Sequence, residues 1–250
     1  MIINVIAMSD VGCTRTINED MILAGDELLR DGAKQYEFNL ADSECPTLIA
    51  VADGLGGHKG GAVASETVLV EMSKATRSLK QNMPVAELKI ELRKIIFSIH
   101  SQLNEGGLTD TAKAGMGSTF IGLLFYEQSI FFINIGDSRL YRFRDGILSQ
   151  FSRDHSLAAM TNNPDAPRHV LVNSFGAGAE IFFDFEDISN RIIDNDVLLL
   201  CSDGLTTELT DPDIESLLSD SIDPVLLVNA AKNNEGKDNI SVVVVKCKRE

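Results

Sequence analysis

Apolar and polar positions along this chain fall into two rhythms. Short runs rich in aliphatic and β-branched residues occur at 2–8, 21–24, 47–52, 118–126, 129–135, 139–144, 147–151, 181–185, 197–201 and 240–246. Each reads as a β-strand. Glu127-Gln128 and Gly136-Asp137 make tight links in a meander, and Asp145-Gly146 is a hairpin turn. Residues 62–79 and 84–104 follow helical spacing instead. In the second helix Val85, Leu88, Leu92, Ile95, Ile99 and Leu103 share one face.

Two shorter helices are expected around 214–218 and 225–231. Asp211-Pro212 and Asp223-Pro224 each set an N-cap acid before an N1 proline. Strands in hairpin order between helix pairs predict an α+β fold, with antiparallel sheets covered on their outer faces by helices. Residues 28–45 read as an irregular hairpin excursion and 162–178 as a polar surface loop. No repeat, low-complexity tract or Pro/Ser-rich linker divides the chain, so 1–250 is expected to be a single domain.

The chemistry sits where apolar runs stop. Asp53-Gly54-Leu55-Gly56-Gly57-His58 follows the run 47–52, Gly136-Asp137-Ser138-Arg139 follows 130–135, and Ser202-Asp203-Gly204 follows 197–201. Asp238 opens the last run. One Asp-Gly is an ordinary turn. Several acids at the ends of buried strands are different, because carboxylates gathered at low dielectric need protons or cations. Carboxylate and bare backbone carbonyl are the oxygen ligands that Mg²⁺ or Mn²⁺ prefers. Near the N-terminus, Arg15 lies just ahead of Asn18-Glu19-Asp20. Read blandly this is a solvated charge cluster; read functionally, Arg15 grips two phosphate oxygens and the acids join the metal site. His58 is either a helix-start histidine or a proton donor to a leaving oxygen. His155 is expected to cap a short helix, and His100 to be structural.

Composition narrows the classes. The formal net charge of −15 argues against sequence-independent binding to nucleic acid or an anionic membrane, since both require a cationic face. Cys13, Cys45, Cys201 and Cys247 form no C-x-x-C pair, which weakens zinc and disulfide readings and suggests a reducing compartment. The N-terminus lacks the features of a signal peptide and no apolar run reaches the length of a membrane span, so the expectation is cytoplasmic. No cysteine is followed six residues later by arginine, no G-x-x-x-x-G-K-[ST] loop occurs, and Ser202 lies in no G-x-S-x-G elbow.

Taken in order, Arg15…Asn18-Glu19-Asp20, Asp53-Gly54-Leu55-Gly56-Gly57-His58, Gly117-Ser118-Thr119, Gly136-Asp137-Ser138-Arg139-Leu140-Tyr141, Asp154-His155-Ser156, Ser202-Asp203-Gly204-Leu205 and Asp238-Asn239-Ile240-Ser241 resemble the metal-dependent Ser/Thr protein phosphatases of the protein phosphatase 2C family in its compact bacterial form. That resemblance implies a four-layer αββα sandwich of two antiparallel sheets flanked by helix pairs. It implies two Mn²⁺ or Mg²⁺ ions, with Asp53 bridging them, the Gly54 carbonyl binding one, and Asp203 and Asp238 holding the second. Asp137 with Asp203 would form a weaker third site. Glu19 and Asp20 would act through water or as further ligands, Asn239 would support the site, Arg15 would bind phosphate and His58 would protonate the leaving group.

Hydrolysis of phosphoserine and phosphothreonine in proteins by a metal-activated water, opposing a cognate Ser/Thr kinase, follows from the resemblance. Alternatives are a phosphatase of small metabolites and a catalytically weak binding module. The stretch 157–178 is shorter than the flap that bacterial members usually carry, and Ser152 stands where a Thr is expected. A more open, less selective cleft is the expectation from that difference.

Overall fold

The computed structural model describes every residue except 42, 44, 57, 58, 110–113, 162–166, 168, 169, 249 and 250, and it omits the side chains of Lys59 and Thr109. The chain begins with β1 (Ile2–Asp10), β2 (Met21–Ala24), β3 (Glu27–Leu29), β4 (Gly32–Asn39), β5 (Thr47–Ala52) and β6 (Gly54–Leu55). Helices α1 (Lys59–Arg77) and α2 (Val85–Thr109) follow. Next come β7 (Gly117–Ser118), β8 (Phe120–Tyr126), β9 (Ser129–Ile135), β10 (Arg139–Arg144), β11 (Ile147–Gln150), α3 (Leu157–Thr161), β12 (Asp184–Asp187) and β13 (Val197–Cys201). The last part holds α4 (Asp203–Glu208), α5 (Asp211–Asp220), α6 (Pro224–Asn233) and β14 (Ile240–Lys248).

Two six-stranded sheets form, ordered β11-β10-β13-β14-β1-β4 and β12-β9-β8-β5-β2-β3, and every pairing within them is antiparallel. Three apolar layers hold them. Strand period sends alternate side chains to opposite faces. In β5, Ile49 and Val51 face the other sheet, whereas Leu48, Ala50 and Ala52 face the helices. In β14, Val243 and Val245 enter the inter-sheet layer, while Val242 and Val244 pack on the C-terminal helices. Burial on both faces explains why these strands read as unbroken apolar runs.

Helix α2 seats Leu88, Leu92, Ile96, Ile99 and Leu103 against sheet two beside Val68, Leu69 and Met72 of α1. Ile96, rather than Ile95, carries the middle of that face; Ile95 is only partly buried. On the opposite side α5 and α6 bury Ile214, Leu218, Leu227 and Val228 on sheet one. The α+β architecture of helix layer, sheet, sheet, helix layer is as the sequence predicts.

Local differences have local causes. Asp223 caps α6 by accepting from Val225 N (2.9 Å), as expected. Helix α5 is instead capped by Thr210 in a capping box with Asp213, and Asp211 is its first helical residue. Strand β12 begins at Asp184, so residues 181–183 lie outside it. The excursion after residue 26 is ordered: β3 pairs with β2, and β4 crosses to pair with β1 in the other sheet. The hairpin turn at Asp145-Gly146 has φ of 49° and 78°, the positive pair that a two-residue turn needs. Residues 162–166, 168 and 169 of the expected surface loop lie outside the described residues.

Candidate active site

Antiparallel register brings the strand-end acids to one end of the sandwich. Met21 pairs with Ala52, so Asp20 and Asp53, one step further, stand opposite each other. Arg139 pairs with Cys201, and two steps beyond them Asp137 and Asp203 are likewise opposed. Asp10 pairs with Ile240, which puts the loop 11–20 beside Asp238 and Asn239. Ser202 Oγ ties the sheets together here by donating to Asp20 Oδ2 (2.7 Å).

Close backbone approach completes the end. A Cβ on Gly54 would lie 2.2 Å from the Gly61 carbonyl oxygen and 2.6 Å from that of Glu19, so only glycine lets α1 start against this loop. A Cβ on Gly204 would lie 2.0 Å from the Asn239 carbonyl oxygen. Thr119 pins Asp53 by donating its N–H to the Asp53 carbonyl (2.9 Å) and accepting the Asp53 N–H on Oγ1 (3.1 Å). The same hydroxyl reaches Ser138 Oγ at 2.7 Å, beside Asp137.

Asn239 holds the N-terminal loop as a clamp. Its Nδ2 donates to the Val11 and Ile17 carbonyls (3.0 Å each) and its Oδ1 accepts from Glu19 N (2.8 Å). Arg15 donates to Asp238 Oδ2 at 2.8 Å, and Asp238 Oδ1 accepts from Asn239 N at 2.8 Å. The Arg15 side chain is about half exposed (47%), so this pair is open to solvent on one side.

The electrostatics are those of acids crowded out of water. Burial, then the Asp203 and Asp238 charges, push Asp20 up to about 7 against the pull of the Ser202 hydrogen bond. Asp137 is pushed up to about 7 by burial and then by Asp203 and Asp154. Asp53 lies well above the usual carboxylate range because of burial and the charges of Asp20, Asp203, Asp137 and Asp238. Asp203 is raised by burial and by Asp238. Asp20 Oδ1 is buried and takes no hydrogen bond from the described residues.

An all-oxygen donor set, protons held near neutrality and an orphaned buried oxygen together fit a hard divalent cation. Among the described residues no three acidic, histidine or cysteine side chains already stand in a closed metal-holding arrangement. The Arg15–Asp238 pair occupies a carboxylate oxygen that a cation would take up. Asp20, Asp53, Asp137, Asp203 and Asp238 form one electrostatic cluster.

His58 lies outside the described residues. His155 is not a helix cap. It is buried, its Nδ1 accepts from Gly136 N (3.2 Å), and its Nε2 faces Asp184 Oδ2 (3.1 Å). Ser156 Oγ meets the first turn of α3 instead. His100 is structural, buried between Asn104 and Gly176 N. Arg139 is committed to a bidentate pair with Asp154 (2.9 and 2.7 Å) and to Tyr141.

Positioning residues that sequence reasoning passed over include Thr119, Ser202 and Arg30. The first two sit inside motif blocks but carry no individual signal of role. Arg30, at the turn between β3 and β4, donates to the Asn18 (2.8 Å), Asp20 (3.3 Å) and Ala62 (2.8 Å) carbonyls. Nothing in its sequence neighbourhood announces that.

Comparison with known proteins agrees with this geometry. The sequence profile described as Protein phosphatase 2C matches residues 35–240. The chain is 30% identical over 265 residues to Protein phosphatase PhpP of Streptococcus pneumoniae, covering 97% of each. The S. agalactiae serine/threonine phosphatase structure superposes with a TM-score of 0.83 at 24% identity, covering 98% of this chain and 100% of that one. The catalytic domain of the serine/threonine protein phosphatase PstP, solved in complex with two manganese ions, gives a TM-score of 0.73 at 28% identity over 98% and 99% of the chains. The chain belongs to the protein phosphatase 2C family.

Proposed function

We propose that this phosphatase removes phosphate from phosphoserine and phosphothreonine in proteins by direct attack of water, with two Mn²⁺ or Mg²⁺ ions as cofactor. In this reading Asp53, the Gly54 carbonyl, Asp203 and Asp238 hold the ions, and Asp137 with Asp203 offers a third, weaker position. Asp20 and Glu19 border them through water or as further ligands, and Asn239 supports them from behind. Bound there, divalent cations supply Lewis acidity and a water that gives up its proton near neutral pH.

The chain's own residues do the rest. Asp238 would help hold a cation, and the planar fork of Arg15, released from that carboxylate, would bind two phosphoryl oxygens. His58 donates a proton to the departing Ser or Thr oxygen. Asn239 keeps Arg15 and Glu19 in place by fixing the loop from Val11 to Glu19. The whole chain, 1–250, acts as one catalytic domain in the cytoplasm, on phosphoproteins made by a partner Ser/Thr kinase.

The observation that carries this reading is the set Asp20, Asp53, Asp137 and Asp203 on converging strand ends, all raised above the normal acid range, with Asp20 and Asp137 buried. The PstP catalytic domain, solved in complex with two manganese ions, supports the choice of metal. The test is hydrolysis of matched phosphoserine, phosphothreonine and phosphotyrosine peptides, with manganese and with excess chelator. Manganese-dependent turnover of the first two, lost in Asp203→Asn, is expected. Undiminished turnover in chelator would overturn the proposal.

A further inference from the structure

Helix α2 carries a second, partly exposed apolar stripe beside its core-facing one, and Phe97 at its end still packs against the core. Ala86, Ile90 and Phe97 recur on it at helical spacing, and Ile90 is 56% exposed. This stripe forms one wall of a groove of about 400 Å³; residues 181–183 form the other, with Phe182 itself 43% exposed. Lys89 and Arg93 stand on its helical edge. The Arg93 guanidinium rests 5.4 Å from the Phe97 ring centroid, and neither cation has an ion-pair partner among the described residues. In a chain with a net charge of −15, two unneutralised cations flanking an apolar channel are a local reversal of the surface.

The second wall is built in advance. Asn173 grips Phe182 from both sides, donating to its carbonyl (2.8 Å) and accepting its N–H (3.2 Å). The Phe182 ring packs on buried His155 with centroids 4.6 Å apart. A groove whose walls are already ordered costs a partner little conformational entropy. From Ala86 to Phe97 the helix rises about 16 Å, the length of roughly five extended residues.

We propose that this groove docks an extended segment of a partner protein that combines apolar side chains with carboxylates. The apolar groups would lie between Ile90 and Phe182, and the carboxylates would meet Lys89 and Arg93. The surface is made by α2 and the stretch before β12, not by the acid cluster. Docking is therefore read as binding, separately from turnover, and stands or falls apart from the phosphatase chemistry.

The test uses a fluorescein-labelled octapeptide alternating phenylalanine with aspartate, and its twin with lysine for aspartate, followed by anisotropy. The acidic peptide should bind at least about tenfold tighter than its twin. The double variant Lys89→Glu/Arg93→Glu should reverse that preference, and Ile90→Asp should weaken both, while all variants keep normal hydrolysis of p-nitrophenyl phosphate. Absence of binding, or a preference that survives charge reversal, would overturn the proposal. Self-association of the protein that Ile90→Asp abolishes would assign the face to a second copy and overturn it equally.

Discussion

Loading the acid cluster with a divalent cation should expel protons, in a number set by pH. Asp20 and Asp137 both titrate at about 7, so at pH 7 each holds roughly half a proton. A cation entering the cluster favours the ionised form, so binding at pH 7 releases about one proton from these two groups. At pH 6 the figure approaches about two, and at pH 8 it falls to a few tenths. Asp53 and Asp203, raised by the same crowding, add to the release. The assay is calorimetric titration of Mn²⁺ into metal-free protein in buffers of different ionisation enthalpy, which counts protons directly. Apparent affinity should fall as pH drops below about 7, because protons and cations compete for the same oxygens. Binding that releases no proton at pH 6 would refute the reasoning, since the acids would then be ionised before the metal arrives.

The same shifts bear on stability. Between about pH 4 and pH 7 the unfolded chain has lost these protons while the folded chain keeps them. The metal-free protein should thus lose stability as pH rises through that window, by on the order of 4 kcal/mol for each of Asp20 and Asp137 at most. Urea unfolding at several pH values checks this, and Mn²⁺ should reverse the loss. Asn239→Ala removes the clamp and strands Glu19 N and the Val11 and Ile17 carbonyls. It should cost about 2–4 kcal/mol in the same assay and lower activity. Arg15→Gln should behave in the opposite way. Its pair with Asp238 is exposed and contributes less than about 1 kcal/mol, so melting should scarcely move while KM for phosphopeptide rises steeply.

Much of the fold was legible because burial on both sheet faces leaves long apolar runs: 21–24, 47–52, 129–135, 139–144 and 197–201 begin and end as expected. The acids were legible for a related reason, since an aspartate ending such a run is out of place unless something needs it. Elements that lean on neighbours were not. Strand β4, exposed at most of its positions, shows no clean alternation and is defined by pairing with β1. The cap of α5 fell on Thr210, because Thr210 and Asp213 satisfy each other across the first turn and Asp211 is left to accept from Tyr141 (3.0 Å). His155 gave no hint that its ring would hold the Gly136 N–H, a contact created only when the turn before β10 folds back. Thr119, Ser202 and Arg30 act through partners far along the chain, which no local pattern encodes.

Anomalous diffraction from crystals soaked in manganese tests the central claim most directly. Two strong peaks are predicted, both bordered by Asp53, with Asp203 and Asp238 around the second. Manganese peaks elsewhere on the molecule, with none among these carboxylates in crystals of active protein, would contradict the account.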